Sequence, residues 1–255
     1  MSNNIKLAFF DLDGTLTNNE KEISLKNIKA LEYLKNKGIK LVYASGRWDS
    51  YILTNNYHTD LIDYIICNNG AEIYDIKNKK LLLSNYMNNN TVKLLLDYCN
   101  KLGIQITFNS YLKRFDNNIT NEELINNPIY LGVVICKTKD EVNKIINEID
   151  ELEELYISYI SAAYFKDIEA KSYTLNINIR NVDKGSAVKY LQEYLNINKE
   201  ECVSFGDNNN DIPMFNNCGT SVAMENGYSV LKEQATYITK TNDEDGVAYF
   251  IDNYL

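Results

Sequence analysis

The sequence predicts an α/β fold, a Rossmann-like parallel sheet core with an inserted α/β domain, and two observations lead to it. Apolar strand-like segments alternate with amphipathic helical segments at both ends of the chain, whereas the middle has a separate set of expected helices and strands. Strands that alternate with helices favour parallel pairing through right-handed crossovers. We expect residues 1–83 to form the first part of the core, residues 84–181 the inserted domain, and residues 182–255 the second part of the core.

The first third of the chain supplies three expected strands and two expected helices. In order, they are strand Ile5–Phe10, helix Ser24–Lys37, strand Ile39–Ala44, a short helix near Trp48–Asn55 and strand Asp63–Cys67. The first helix has a serine at its start and Gly38 at its end, which are typical helix boundaries. Its spacing predicts one apolar face of Leu25, Ile28, Leu31 and Leu34.

The rest of the chain divides into the inserted domain and a return to the first pattern. The inserted domain is expected to contain helices Thr91–Leu102 and Lys139–Leu152 and strands Gln105–Asn109, Ile129–Lys137, Tyr156–Phe165 and Ser172–Ile179. After it we expect helix Lys184–Leu195, strands Cys202–Phe205, Ser221–Ala223 and Thr236–Ile238, and a terminal helix from about Gly246.

Composition excludes several functional classes. A net charge of -9 would repel a phosphate backbone, so nucleic-acid binding is not expected. No apolar run reaches the roughly 18 residues needed to span a bilayer, and the start has no signal-peptide core. The five cysteines are scattered, which suits reduced thiols in a cytoplasmic protein better than disulfides or zinc ligands. The single histidine, His58, excludes a multi-histidine metal site and is expected to have a loop role.

Polar side chains follow four of the expected parallel strands. Asp11, Ser45, Asn69 and Asp207 each lie just past the carboxyl end of a strand. Open α/β sheets place their ligand sites at that edge. Residues far apart in the sequence are therefore expected to meet there.

The stretch DLDGTL contains two aspartates that need an explanation. Asp13 and Gly14 alone are typical of a hairpin turn, but a turn does not explain Asp11 at the end of a buried strand. An EF-hand loop is excluded because Leu16 occupies the position that requires glycine. Asp11 therefore remains a candidate functional residue.

The stretch GDNNND also follows an apolar strand. It could be an ordinary asparagine-rich loop with Asp211 capping a helix. If Asp11, Asp13, Asp207 and Asp211 converge, however, their repulsion is severe, since two carboxylates about 4 Å apart repel by roughly 4 kcal/mol at an effective dielectric of 20. A hard divalent cation with oxygen ligands relieves this repulsion, and Mg²⁺ fits such a site together with a substrate phosphate.

Two further residues are suited to binding a phosphoryl group. Ser45 in ASGR could be only a helix cap, and Lys184 in VDKGS only a solvated lysine at a helix start. A hydroxyl and an ammonium beside a divalent ion are nevertheless what the charged oxygens of a transferring phosphoryl group need.

Taken in order, the stretches DLDGTL, ASGR, DKG and GDNNND resemble the motifs of the haloacid dehalogenase-like (HAD) phosphohydrolases, specifically the Cof-type subfamily. The resemblance covers nearly the whole chain and includes NNGA, SVAMENG and DEDGVA. It implies a Mg²⁺-dependent phosphatase of the cytoplasm that acts on a small phosphorylated metabolite, such as a sugar phosphate, FMN or pyridoxal phosphate. A phosphomutase-type phosphotransferase and a receiver-like phosphoaspartate signalling module are the alternatives.

The resemblance also implies a role for each motif residue. Asp11 would attack phosphorus and become an aspartyl-phosphate, while Asp13 would protonate the leaving alkoxide and then activate water. Asp207 would complete a metal site begun by Asp11 and the Asp13 carbonyl. The phosphate contacts would come from Ser45, the Gly46 amide and Lys184, and the orientation of phosphate and metal waters from Asn210 and Asp211.

The inserted domain would be the cap that closes over the sheet edge and reads the substrate. Arg47, just past ASG, is a candidate for contacting the phosphate or a second anionic group of the substrate. Lys113 and Arg114 in the inserted domain are weaker candidates, since a solvated face explains them better.

Overall fold

The computed structural model describes residues 4–55, 57–111, 113–161 and 171–255. The chain forms two compact units, one made of Met1–Leu83 together with Asp183–Leu255 and the other of Ser84–Val182. Among the described residues, no helix is long and apolar enough to cross a membrane. All five cysteines are free and buried.

The secondary structure follows the chain in this order. The strands are β1 (Leu7–Phe10), β2 (Lys40–Ala44), β3 (Tyr64–Cys67), β4 (Glu72–Asp75), β5 (Lys80–Ser84), β6 (Gln105–Ser110), β7 (Lys113–Phe115), β8 (Ile129–Cys136), β9 (Leu155–Ile160), β10 (Tyr173–Ile179), β11 (Cys202–Gly206), β12 (Thr220–Ala223) and β13 (Tyr237–Ile238). The described helices are α1 (Leu25–Asn36), α2 (Asp49–Thr54), α3 (Asn89–Leu102), α4 (Asn121–Asn126), α5 (Lys139–Glu151), α6 (Lys184–Leu195), α7 (Ile212–Phe215), α8 (Ser229–Gln234) and α9 (Gly246–Tyr254).

The first unit contains an eight-stranded sheet in the order β13-β12-β11-β1-β2-β3-β4-β5. The pairs from β13 to β3 are parallel, which confirms the predicted parallel core. Strand β4 pairs with β3 in the antiparallel direction and was not predicted. Its sequence, EIYD, is short and has a carboxylate at each end, so apolar periodicity does not reveal it.

Both faces of the central strands β11, β1, β2 and β3 are buried, which explains why these strands are largely apolar runs. Along β1, Ala8 and Phe10 pack in a cluster with α1 and α9, whereas Leu7 and Phe9 pack in a cluster with α6, α7 and α8. The ring of Phe10 stacks on that of Phe205 from the neighbouring strand, with centroids 5.1 Å apart. Packing on both faces therefore fixes strand β1 immediately before Asp11.

The buried face of α1 differs from the expected one. Leu25 is 77% exposed, and the buried positions are Asn27, Ala30, Leu31 and Leu34. The helix is thus rotated so that an asparagine enters the core. The Asn27 side chain donates to the Leu16 carbonyl at 3.1 Å and accepts from the Ala248 amide at 2.9 Å, which satisfies both of its ends. The expectation that Leu25 belongs to the core was wrong, because hydrogen bonds to these two backbone groups favour Asn27 at the buried position.

The second unit is an antiparallel five-stranded sheet in the order β7-β6-β8-β10-β9. Its core gathers apolar side chains of α3 and α5 with those of the strands. Helix α4 begins with a capping box between Thr120 and Glu123 and was not predicted. The expected strand Tyr156–Phe165 is observed as Leu155–Ile160, and its residues 162–165 lie outside the described residues.

Replacing Asn27 with alanine is expected to lower the free energy of unfolding by about 2–4 kcal/mol, because a buried carbonyl and a buried amide lose their partner. Urea unfolding of the purified protein measures this change. Asn253→Ala is the matched control, since Asn253 is exposed on α9 and its loss leaves the core intact. Equal losses for the two variants would contradict the structural role of Asn27.

Candidate active site

The candidate active site lies at one edge of the first unit's sheet. Strands β11, β1, β2 and β3 are consecutive and parallel, so they all end at this edge. Asp207, Asp11, Ser45 and Asn69 follow these ends, as the sequence predicted.

Lys184 is the first residue of α6 and lies at the centre of the site. Its ammonium is fully buried and donates to Asp11 Oδ1 at 2.5 Å and to Asp211 Oδ1 at 2.6 Å. A helix start disfavours a cation, and burial acts to lower the pKa of Lys184. The two carboxylates outweigh this effect and raise the pKa of Lys184 above its ordinary value, so the side chain stays charged.

A third carboxylate, Asp207, lies close to the two that contact Lys184. Ligand oxygens of Asp11, Asp207 and Asp211 lie within 4.8 Å of one another. Burial raises the pKa of Asp11 to about 7, since Asp211 adds to the effect and Lys184 offsets only part of it. Burial and the neighbouring carboxylates also raise the pKa of Asp207 well above its ordinary value. The cluster carries more negative charge than Lys184 can balance, which is the donor set and the charge that a hard divalent cation requires.

Hydrogen bonds within the loops hold the acidic residues in place. Asp211 Oδ2 accepts from the amides of Asp207 and Asn208, at 3.0 and 3.1 Å. The Thr15 hydroxyl donates to Asp207 Oδ1 at 3.0 Å, which ties the loop after β11 to the loop after β1. Gly14 allows this approach, since it has a φ of 83° and an added Cβ would lie 2.6 Å from Asp207 Oδ2.

Ser45 and Asn210 are joined through Asn69. Ser45 is buried, and its carbonyl accepts from the Asn69 amide at 3.0 Å. The Asn69 side chain accepts from Asn210 Nδ2 at 3.0 Å. Gly46 lies beside the same residue, since an added Cβ would be 3.0 Å from Asn69 Oδ1. The turns after β2, β3 and β11 therefore form one connected rim.

The carboxylate of Asp13 has different partners from that of Asp11. Arg47 donates Nε to Oδ2 and Nη2 to Oδ1, both at 2.6 Å, and Lys21 donates to Oδ1 at 2.9 Å. Burial acts to raise the pKa of Asp13, but Arg47 and Lys21 outweigh it and lower the pKa. The side chain of Asp13 thus binds two cationic partners, Arg47 and Lys21. The acidic cluster is formed by Asp11, Asp207 and Asp211.

The sequence interpretation missed several contacts in this site. Thr15, Lys21 and Asn226 each bind a motif segment, Asn226 by donating to the Gly14 carbonyl at 2.8 Å. Asn226 belongs to the stretch SVAMENG, so the family pattern contained a signal for it. Lys21 lies in a charged loop that has no distinguishing pattern.

The remaining candidates have partners outside this cluster. In the second unit, Lys113 contacts Glu123 at 3.5 Å, and Arg114 donates to the Thr107 hydroxyl at 2.7 and 3.1 Å. Their contact with a second anionic group stays a prediction. His58 precedes a short helical turn, Thr59–Leu61, with a φ of 50°.

Comparison with known proteins identifies the family. A family model for haloacid dehalogenase-like hydrolases matches residues 8–251, and the chain belongs to this family, in its Cof-type branch. The 5-amino-6-(5-phospho-D-ribitylamino)uracil phosphatase YcsE of Bacillus subtilis is 31% identical over 98% of this chain and 96% of its own length. The phosphoglycolate phosphatase of Methanobrevibacter smithii is 25% identical, over 99% of each chain.

Solved structures agree with this assignment. A haloacid dehalogenase-like hydrolase from Bacteroides thetaiotaomicron has a TM-score of 0.81 and 26% identity, covering 98% of this chain and 100% of that chain. The TM0651 protein from Thermotoga maritima has a TM-score of 0.79 and 27% identity, covering 98% of both chains. The protein is a phosphoric monoester hydrolase of the HAD type.

Replacing Lys184 with methionine is expected to lower the free energy of unfolding by about 3–5 kcal/mol in EDTA, because Asp11 and Asp211 lose their buried cation. The loss should be greater at about pH 8 than at about pH 5. At low pH the buried carboxyl group of Asp11 is protonated and is stable without a cationic partner. As the pH rises through its raised folded-state pKa, the group ionises, and without Lys184 the stability of the protonated form is lost.

Urea unfolding at the two pH values measures this effect. Lys29→Met on the exposed side of α1 is the control for removing a lysine. A loss for Lys184→Met that does not change with pH would show that the buried carboxylates are not its cause.

Proposed function

We propose that the protein is a Mg²⁺-dependent phosphatase that hydrolyses a small phosphorylated metabolite through an aspartyl-phosphate on Asp11. The observation that carries the proposal is the buried contact of Asp11 with Lys184 at the centre of the acidic cluster. The oxygen of Asp11 is fixed at a strand end, and the ammonium beside it is a permanent partner for phosphoryl oxygens. The family membership and the phosphatase relatives support the same reaction.

In the first step, an oxygen of Asp11 forms a bond to phosphorus as the ester bond breaks. Asp13 donates a proton to the departing alkoxide, which leaves as an alcohol. Lys184 offsets the charge of the phosphoryl oxygens during this transfer, and the Ser45 hydroxyl and Gly46 amide bind the same oxygens. Asn210, held by Asn69, helps to orient the group.

In the second step, Asp13 takes a proton from water, and the water oxygen attacks phosphorus. The bond between Asp11 and phosphorus breaks, which releases inorganic phosphate and restores the carboxylate of Asp11. The two aspartates thus have separate tasks. Arg47 and Lys21 lower the pKa of Asp13 and so favour the carboxylate that takes the proton from water, and Asp13 has to bind a proton before it protonates a leaving group. Asp11 lies in the buried cluster, whereas the side chain of Asp13 is 37% exposed and able to exchange protons with water.

The residues that would hold the ion are Asp11, Asp207 and Asp211, with the backbone carbonyl of Asp13 as a further oxygen. Since the Asp13 carboxylate binds Arg47 and Lys21, we assign its carbonyl rather than its side chain to this role. When bound, Mg²⁺ would supply positive charge for the phosphoryl oxygens and favour the ionised form of Asp11.

Asp11→Asn is expected to lower kcat/KM for p-nitrophenyl phosphate by more than about 10³-fold, because the amide is a poor nucleophile. EDTA should abolish activity, and added Mg²⁺ should restore it. Asp252→Asn, at an exposed position of α9, controls for the loss of a carboxylate. Activity that survives either EDTA or Asp11→Asn would refute the proposed mechanism.

We propose a ribityl phosphate, FMN, sugar phosphate or pyridoxal phosphate as the substrate class. A panel of these esters at fixed Mg²⁺, including 5-amino-6-(5-phospho-D-ribitylamino)uracil and phosphoglycolate, ranks them by kcat/KM. The two additions come from the substrates named for the relatives. Phosphate release that is independent of added sugar acceptors is expected, whereas transfer to an acceptor would indicate a phosphotransferase.

A further inference from the structure

The end of the stretch SVAMENG lies between two loops of the candidate active site. Asn226 is exposed, and its Nδ2 donates to the Gly14 carbonyl at 2.8 Å, in the loop that follows β1. Two positions later, the Tyr228 amide donates to the Asp207 carbonyl at 2.9 Å, in the loop that follows β11. The short segment of residues 226–228 therefore binds both loops that carry the acidic cluster.

The same two loops also contact each other directly. The Thr15 hydroxyl donates to Asp207 Oδ1 at 3.0 Å, and a Cβ on Gly14 would lie 2.6 Å from Asp207 Oδ2. A shift of the loop after β1 would therefore push the Asp207 carboxylate or remove its donor. Because Asp207 is one of three clustered carboxylates, its position decides whether their oxygens can bind one cation together.

The side chain of Asn226 is also held at its oxygen. Its Oδ1 accepts from the amide of Asn242, the residue before the stretch DEDGVA, at 2.9 Å. Asn242 is 4% exposed, and its Nδ2 donates to the Thr17 carbonyl at 3.0 Å. Two asparagines that contact each other thus bind two carbonyls of the loop after β1, those of Gly14 and Thr17.

Gly227 fits between Asn226 and Tyr228 because it has no side chain. An added Cβ would lie 2.9 Å from the carbonyl oxygen of Asp207 and 3.1 Å from its Cα. Both are backbone atoms, so the added carbon could be accommodated only if Asp207 or the segment moved. The segment therefore packs directly on the backbone of a candidate metal ligand.

We propose that Asn226, Gly227 and Asn242 are positioning residues for the metal site. They hold the loop after β1 against the loop after β11, and this keeps Asp11 and Asp207 at the separation that one divalent cation requires. The inference rests on the proposed function, since it concerns the Mg²⁺ of that reaction. These residues act through the shape of the two loops, so their loss changes metal affinity more than the chemical step.

The test is isothermal titration calorimetry of Mg²⁺ into the full-length protein after removal of metal with EDTA. For Asn226→Ala we expect the Kd for Mg²⁺ to rise about fivefold, the effect of one hydrogen bond of ordinary strength. At saturating Mg²⁺, kcat for p-nitrophenyl phosphate should stay within about twofold of the wild-type value. An unchanged Kd, or a fall in kcat without a change in Kd, would overturn the proposal.

Asn253→Ala is the matched control for the loss of an exposed asparagine. Its Nδ2 also donates to a backbone carbonyl, that of Tyr249 at 2.7 Å, but within α9. This variant should bind Mg²⁺ with the wild-type Kd, because a folded protein that is merely less stable keeps its metal site. An equal rise in Kd for Asn253→Ala and Asn226→Ala would show that the contact with Gly14 is not the cause.

Asn226→Asp separates loop geometry from charge. The carboxylate cannot donate to the Gly14 carbonyl, although it adds a negative charge that attracts a cation. Since an exposed charge contributes little, we expect the loss of the donor to dominate and the Kd for Mg²⁺ to rise about threefold or more. Binding as tight as that of the wild type, or tighter, would show that charge and not loop position sets the affinity.

Gly227→Ala tests the contact with Asp207 independently of Asn226. The added methyl group should displace the Asp207 backbone and raise the Kd for Mg²⁺ at least about tenfold, because a ligand oxygen is moved. Gly132→Ala is the control, since its added Cβ would have no neighbour closer than 3.6 Å. A folded Gly227→Ala protein with the wild-type Kd would contradict the proposal.

The same titration distinguishes the failure of this inference from the failure of the proposed function. Wild-type protein that binds no Mg²⁺ would refute the proposed Mg²⁺-dependent reaction. Wild-type protein that binds Mg²⁺, together with Asn226 and Gly227 variants that bind it equally well, would refute only the positioning role.

Discussion

The buried ion pair of Lys184 with Asp11 and Asp211 is the interaction on which the site depends. Asp11 and Lys184 are 173 positions apart in the sequence, and the whole second unit separates them along the chain. A buried ammonium between two carboxylates is stable only if every partner is present. The bond therefore requires that β1, β11 and α6 are correctly assembled, and the site exists only in the assembled first unit.

The environments of Asp11 and Asp13 show how two identical side chains acquire different properties. Asp11 is buried among carboxylates and meets one ammonium, so its pKa is raised to about 7. Asp13, two positions later, turns toward Arg47 and Lys21, which outweigh burial and lower its pKa. Since Lys184 offsets only part of the charge around Asp11, a cation at the cluster would stabilise both the fold and the ionised nucleophile.

The sequence predicted the strand ends well and the side-chain partners poorly. Strands buried on both faces are unmistakable apolar runs, and helix Lys184–Leu195 begins and ends where it was expected. Strand β4 was missed because it is a short hairpin partner with charged ends, and Leu25 was misplaced because tertiary hydrogen bonds favour Asn27 in the core. The direction of Arg47 depends on Tyr51 and Tyr57, whose positions follow from packing and not from any local pattern.

The covalent step is the central claim, and trapping the intermediate tests it most directly. Wild-type protein mixed with excess substrate and Mg²⁺ is quenched in acid during turnover, digested, and analysed by mass spectrometry. The account predicts one phosphoryl group on the peptide that contains Asp11, converted by borohydride reduction to homoserine at that position. Phosphorylation of a different residue, or continued hydrolysis with no labelled peptide at any time after mixing, would contradict it.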